Sequence, residues 1–266
     1  MKLAFIGGGT MGEAIVAGAI ANKVAEAGEI AVCDVAPARR EHMSSKYGVS
    51  VTDSAPEAAS GADVVVLAVK PQQFAAAAGG LKGSLTAGQT VMSIMAGVRI
   101  ETIAEVTGHA AIVRTMPNTP ATIGEGMTVW TATAAVAGPA RESVRRLLSV
   151  LGEEAAVDDE KYIDMATAVS GSGPAYVFLL IEALVDAAVE IGLEREMATR
   201  MVLQTVKGSA RYAKDSGTDP AALREQVTSR GGTTEAALRE LEDAGVRAAF
   251  ARAVGAAYER AKELGG

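Results

Sequence analysis

Six short apolar runs punctuate the first half of the chain: KLAFI, EIAVCD, DVVVLAV, TVMSIM, AAIVRTM and GMTVWTA. Each is partly β-branched and bounded by Gly, Pro or Asp, and Ala-rich stretches of helical length separate several of them. Strands alternating with helices read as βαβ units, which build a parallel sheet. A helix from about Pro139 to Val150 and a last strand near EEAAV complete this half.

From about Asp159 the grammar changes. AYVFLLIEALVDAAVEIG, REMATRMVLQTVKGSARYA and GVRAAFARAVGAAYERAKEL all read as helices of several turns. The first is apolar on nearly every face, a pattern that calls for burial from all sides. About a hundred residues of helix cannot easily cover that much apolar surface alone. A helical partner subunit is the economical solution, and a compact monomeric bundle is the alternative. The pattern predicts an α/β domain over residues 1–158 and an all-helical one over 159–266, with no linker between them.

Composition narrows the class. The 266 residues are 49% hydrophobic and 21% charged, ordinary for a soluble globular enzyme. A net charge of −7 argues against nucleic acid or an anionic membrane as the main partner. It leaves room for an anionic substrate, since a site needs only local donors. Cys33 is the single cysteine, so no internal disulfide forms; it reads as a small buried hydrophobe at a strand end. Three glycines and Glu13 break the apolar start of the chain before it reaches signal-peptide form. Glu182 and Asp186 likewise interrupt the most apolar helix, so no membrane span is expected. The expectation is a soluble, cytoplasmic protein. One Cys and two distant histidines make no metal-ligand set.

Gly7, Gly9 and Gly12 in FIGGGTMGEAI form G-x-G-x-x-G directly after the first strand and at the opening of a helix. The first glycine makes the tight turn, the second admits a pyrophosphate, and the third lets helix pack on strand. Asp34 ends the second strand, 22 residues after Gly12, where an acid accepts hydrogen bonds from a ribose 2′-OH. Dinucleotide binding follows, with NAD favoured by Asp34 alone. Arg39 and Arg40 come within a turn or two; they either hold a 2′-phosphate or stand solvated on the next helix, and both readings stay open. Lys70, Ala96 with Gly97, and Asn118 lie just past the carboxyl ends of three strands, where open α/β sheets bind ligands. Asn118 either meets the nicotinamide or stabilises its own turn.

VTSRGGTTEAALRELE, residues 227–242, places Ser229, Gly231, Gly232, Thr233 and Thr234 between helices. It is either a plain helix–helix turn or a socket for a small anion at a helix N-terminus. His42 and His109 read as surface residues without a catalytic part. Alcohol oxidation needs a base to take the hydroxyl proton, and the helix at SGSGPAYVFLLIEAL offers no Lys for it. A C=N substrate removes that need. An iminium already invites hydride, and the protein has only to orient it and hold its anion.

With these residues in view, the chain resembles the pyrroline-5-carboxylate reductases essentially end to end. FIGGGTMGEAI, AVKPQ, RTMPNTP, SGSGPAYVF and VTSRGGTTEAALRELE occur in the family's order and spacing. The resemblance implies a Rossmann-type doubly wound parallel sheet followed by an all-helical dimerisation domain. It also implies NAD(P)H-dependent reduction of 1-pyrroline-5-carboxylate to L-proline, with NADP(H) the family's usual cofactor and NAD(H) the alternative that Asp34 raises. By position, cofactor contacts fall on Gly7, Gly8, Gly9, Thr10, Met11, Gly12, Asp34, Val69, Lys70, Ala96, Asn118 and Gln226. The substrate falls to Ser229, Gly232, Thr233 and Thr234, the last beside the ring nitrogen as the catalytic residue, with Glu160 near the substrate. The assembly implied is a homodimer, or a larger homo-oligomer built from it. Arg230 stands where the family usually has Pro, and Gln226 where Asn is common. The other readings are a β-hydroxyacid-type dehydrogenase and a non-catalytic NAD(P)-binding regulator.

Overall fold

A computed structural model describes residues 1–265 of the chain. Eight strands form one sheet: β1 (Leu3–Ile6), β2 (Ile30–Cys33), β3 (Ser50–Thr52), β4 (Val64–Leu67), β5 (Thr90–Ser93), β6 (Ile112–Met116), β7 (Gly126–Ala132) and β8 (Gly152–Ala156). Their order is β3-β2-β1-β4-β5-β6-β7-β8. The chain leaves β1 toward β2 on one side and later returns to β4 on the other. Leu3 therefore registers with both Ile30 and Val64. That reversal of winding direction opens a crevice at the carboxyl ends of β1 and β4.

β1 and β4 are buried along their whole length, as strands covered on both faces must be. Leu3, Phe5, Val64 and Val66 join Ile15, Val16 and Leu147 in a core on one face. Ala4, Ile6, Val65 and Leu67 join Phe74, Leu81 and Ile103 in a core on the other. The helix expected at Pro139–Val150 runs Gly138–Leu148 and supplies part of the first core.

Two departures from the sequence pattern have local causes. β3 has three residues, none of them fully buried, so it carries no apolar run to betray it. β7 runs antiparallel to β6, and β8 then lies parallel to β7. Residues 117–125 are too few for the crossover of about a dozen residues that a parallel return requires.

Two compact units divide the chain, Pro174–Ala256 and the rest. The helices of the second region run Gly173–Glu190, Arg195–Ser216, Pro220–Gln226, Thr233–Asp243 and Val246–Leu264. The apolar first helix is not covered by its own chain. Val185 is its one buried residue among those described, and Phe178 and Leu179 are 58% and 65% exposed. Met201 and Leu203 on the following helix are about as open. Lys161–Glu190 is a 30-residue helical run, long and apolar enough by length and composition to cross a membrane. The core helix of a soluble protein has the same length and composition, and Glu182 and Asp186 lie within this run.

Gly152 opens β8 in register with Gly126 of β7; its φ is +129°, and a Cβ there would run into the Gly126 carbonyl oxygen. Gly88 has open space around it and no positive φ. Gly152→Ala should cost more than about 2 kcal/mol, from backbone strain plus the clash. Gly88→Ala should change urea stability by less than about 0.5 kcal/mol. Equal midpoints for the two variants would contradict the tight β7–β8 junction.

Candidate active site

The loop between β1 and the helix Thr10–Ala21 is shaped by three glycines with different duties. The Gly7 N–H donates to the Cys33 carbonyl at 2.7 Å, and its φ is +104°. A Cβ at Gly7 would lie 2.6 Å from the Ala68 carbonyl oxygen at the end of β4. A Cβ at Gly12 would lie 2.7 Å from the Gly7 oxygen, so helix and loop touch backbone to backbone. Gly9 meets nothing within 4 Å and stands as N-cap with no side-chain cap. Thr10 is exposed and Met11 half-buried beyond it. The loop is thus packed tight below and open above, with first-turn amides left for an anion. This is the cradle a dinucleotide pyrophosphate needs.

Asp34 lies beside that loop with both carboxylate oxygens engaged. Oδ2 accepts from the Gly8 N–H and Oδ1 from the Ala36 N–H, each at 2.9 Å. Neither arginine is a freely solvated helix residue. Arg39 donates from Nε to the Gly8 carbonyl and from Nη2 to Glu13, and Arg40 donates from Nη1 to the Asp34 carbonyl at 2.7 Å. His42, Lys46 and Tyr47 also reach Glu13, at 2.9, 3.0 and 2.9 Å. Burial pushes the Glu13 carboxyl up, but the hydrogen bonds from His42, Arg39, Lys46 and Tyr47 outweigh it and hold it well below the usual carboxylate range. A cleft of about 420 Å³ opens next to Asp34, lined among others by Gly7, Val35, Val69, Gln73 and Ala77. Cys33 lines its floor; burial pushes its thiol up, and Asp34 and Asp53 add to that.

Farther along the sheet edge, Val69 is half-buried and Lys70 exposed, ahead of the turn Pro71–Gln73. Ala96 is half-buried next to Gly97, whose φ of +74° turns the chain after β5. The Asn118 amide is fully engaged by its own surroundings. Its Oδ1 accepts from the Met127 N–H at 2.9 Å, and its Nδ2 donates to the Ser170 carbonyl at 3.2 Å. Glu160 is also held: Oε1 accepts from the Ile100 N–H and from Arg114 Nη1, both at 2.8 Å. Arg114 Nη2 reaches Asp164 at 2.7 Å, and the Arg114 side chain is 1% exposed. His109 donates from Nε2 to the Gln89 carbonyl at 2.7 Å, at the amino-terminal ends of β5 and β6.

The second unit carries the hydroxyl-rich loop. Gln226 ends the helix Pro220–Gln226, and Ser229 is exposed beyond it. Gly231 has φ +74° and donates its N–H to Glu235 Oε2 at 2.8 Å. Gly232 is the N-cap of Thr233–Asp243, again without a side-chain cap. A Cβ at Gly232 would meet Ser229 Oγ at 2.6 Å, so the loop folds back on its own serine. Thr233 is exposed and Thr234 half-buried at the start of the helix. Both the turn and the free helix start are present in one structure.

The comparisons with known proteins bear on both units. A family model described as pyrroline-5-carboxylate reductase dimerisation matches residues 160–264. Residues 2–97 match one described as NADP oxidoreductase, coenzyme F420-dependent. A pyrroline-5-carboxylate reductase of Synechocystis is 44% identical, over 100% of this chain and 98% of its own. The chain belongs to the pyrroline-5-carboxylate reductase family. Solved structures agree. A pyrroline-5-carboxylate reductase from Coxiella burnetii has a TM-score of 0.92 at 40% identity, covering 100% of this chain and 98% of its own. The pyrroline carboxylate reductase of Plasmodium falciparum, solved with NADP bound, has 0.90 at 32%, with the same coverage. The exposed helices of this reductase therefore lie in the family's dimerisation region.

Sequence reasoning passed over Arg114 and Asp164. A lone Arg inside the apolar run AAIVRTM was the available signal, because a buried cation demands a partner. Arg114→Met should leave two carboxylates facing a cavity without their cation and cost about 3–5 kcal/mol. Urea unfolding checks this, and Asp164→Leu added to it should recover part of the loss. A single-variant loss under about 1 kcal/mol would remove the ion pair from the account.

Proposed function

We propose that this chain reduces 1-pyrroline-5-carboxylate to L-proline with NAD(P)H, the last step of proline biosynthesis. The observation that carries the reading is the end-to-end similarity to reductases bearing that name. The two uncapped helix starts supply its chemistry. When bound, the reduced nicotinamide supplies a hydride to the C=N carbon. The chain's own residues do the rest. Gly7, Gly8, Gly9, Thr10, Met11 and Gly12 hold the pyrophosphate through backbone amides. Asp34 meets the adenosine ribose from a position fixed by the Gly8 and Ala36 amides. Val69, Lys70 and Ala96 border the cofactor, and Gln226 adds a contact from the helical unit. Asn118 contributes by clamping its loop, since both ends of its amide are engaged.

In the helical unit, Ser229, Gly232 and Thr233 receive the substrate carboxylate at the helix start, and Thr234 hydrogen-bonds the ring nitrogen. Glu160 acts from a fixed position, locked by Arg114 and the Ile100 amide. No strong base is required, because the protonated imine is already electrophilic and its amine product keeps its proton. Residues 1–158 serve the cofactor and 159–266 the substrate and assembly. A homodimer, or a larger assembly built from it, covers Phe178 and Leu179. The reading further assigns a cytoplasmic enzyme with no nucleic-acid or membrane partner.

NAD(P)H oxidation measured with pyrroline-5-carboxylate, with a hydroxyacid and with no substrate tests the reaction. Only the first should proceed; oxidation with the hydroxyacid alone would overturn the reading. Thr234→Val tests the site. Losing one hydrogen bond to a charged group costs about 1.5–3 kcal/mol, so kcat/KM should fall roughly ten- to a hundred-fold. NAD(P)H affinity and melting temperature should hold, since Thr234 is not the cap of its helix. Unchanged kcat/KM would leave the loop as a turn. A loss beyond about ten-thousand-fold would make Thr234 an obligatory proton relay instead.

A further inference from the structure

Four side chains on one helix converge on a single carboxylate next to the glycine loop. Arg39, His42, Lys46 and Tyr47 all belong to Pro37–Tyr47, and all reach Glu13 in the first turn of the helix that opens at Thr10. Arg39 is the one nearest the loop. A Cβ built on Gly8 would lie 3.4 Å from Arg39 Cγ and 3.5 Å from Asp34 Oδ2, so cation and acid flank the same glycine.

We propose that Glu13 sets the cofactor selectivity of this site by holding Arg39 away from a ribose 2′-phosphate. The inference rests on the glycine loop being the dinucleotide site. In that setting an acid at the end of β2 receives a 2′-OH, and a nearby Arg accommodates a 2′-phosphate. This chain has both, and their engagement decides between them. Arg39 is fixed at two points, Nε on the Gly8 carbonyl and Nη2 on the Glu13 carboxylate, an acid it shares with Lys46. Arg40 is turned to the Asp34 and Val35 carbonyls, with Asp53 3.8 Å from its Nη2. Asp34 has amide partners but no cation of its own. With Arg39 and Lys46 both held on Glu13 and Arg40 beside Asp53, the charge at the glycine loop that has no ion-pair partner among the described residues is the Asp34 carboxylate. It repels a phosphate and leaves a hydroxyl unaffected. Glu13 touches neither ligand; it is a positioning residue that acts through Arg39.

The test measures NADPH and NADH dissociation constants by cofactor fluorescence, with no turnover involved. Glu13→Gln keeps shape and an acceptor oxygen but removes the charge. NADPH should then bind about five- to tenfold tighter, the effect of one freed charge at a partly exposed site. NADH should stay within about twofold. Adding Arg39→Gln to it should abolish the gain. Arg39→Met alone should leave the NADPH-to-NADH ratio at its wild-type value, because the cation is already withheld, and this arm stands even where Glu13→Gln does not fold. Equal changes for both cofactors in Glu13→Gln, a gain that survives loss of Arg39, or a selective NADPH loss in Arg39→Met would each overturn the inference. Wild-type protein that binds neither dinucleotide would overturn the underlying site assignment as well.

Discussion

The Rossmann unit is organised around one close approach, where the backbone at Gly7 lies against the carbonyl of Ala68 with no room for a Cβ between them. That contact joins the carboxyl ends of β1 and β4, the two strands between which the winding reverses. Gly12 repeats the approach from the helix side, against the Gly7 oxygen. Together they force the chain to rise over the sheet edge in a single turn, with Gly9 and the first helical amides facing outward. The same sterics that shut the loop below therefore keep it open above. A larger residue at either position would have to move β4 or the helix, and the crevice with it.

Charge in this reductase is gathered into compact groups of mixed sign. Arg114 of β6 is buried against the acidic pair Glu160 and Asp164, and Glu13 gathers four donors from one helix. The cations in these groups are held by carboxylates. In the proposed site, phosphate and carboxylate fall to backbone amides at two helix starts, Thr10 and Thr233, where small residues precede the first N–H groups. Under the proposed function, such backbone sites let a chain of net charge −7 take anionic ligands.

What was legible in the sequence depended on whether a signal was local. Six of the strands stood out as apolar runs, the last was expected near EEAAV, and GxGxxG after the first strand pointed to a Rossmann-type unit at residues that match an NADP oxidoreductase model. β3 escaped because a three-residue edge strand buries too little to leave a pattern. The reversal at β7 lay in the shortness of residues 117–125 rather than in any residue type. The partners of Arg39, Asn118 and Glu160 were invisible, since each spans more than 25 residues of chain or joins distant loops. The apolar surface of Gly173–Glu190 was legible as a need for cover, and the match to the family's dimerisation region says what kind of cover that is.

The central claim is that a nicotinamide cofactor on this fold delivers hydride to a cyclic imine. Reduced cofactor carrying deuterium at the transferable position, incubated with the enzyme and pyrroline-5-carboxylate, tests it directly by mass spectrometry of the product. The account predicts proline with one deuterium on the carbon of the former C=N bond. Proline without deuterium, or oxidation of the cofactor with no proline formed, would contradict it.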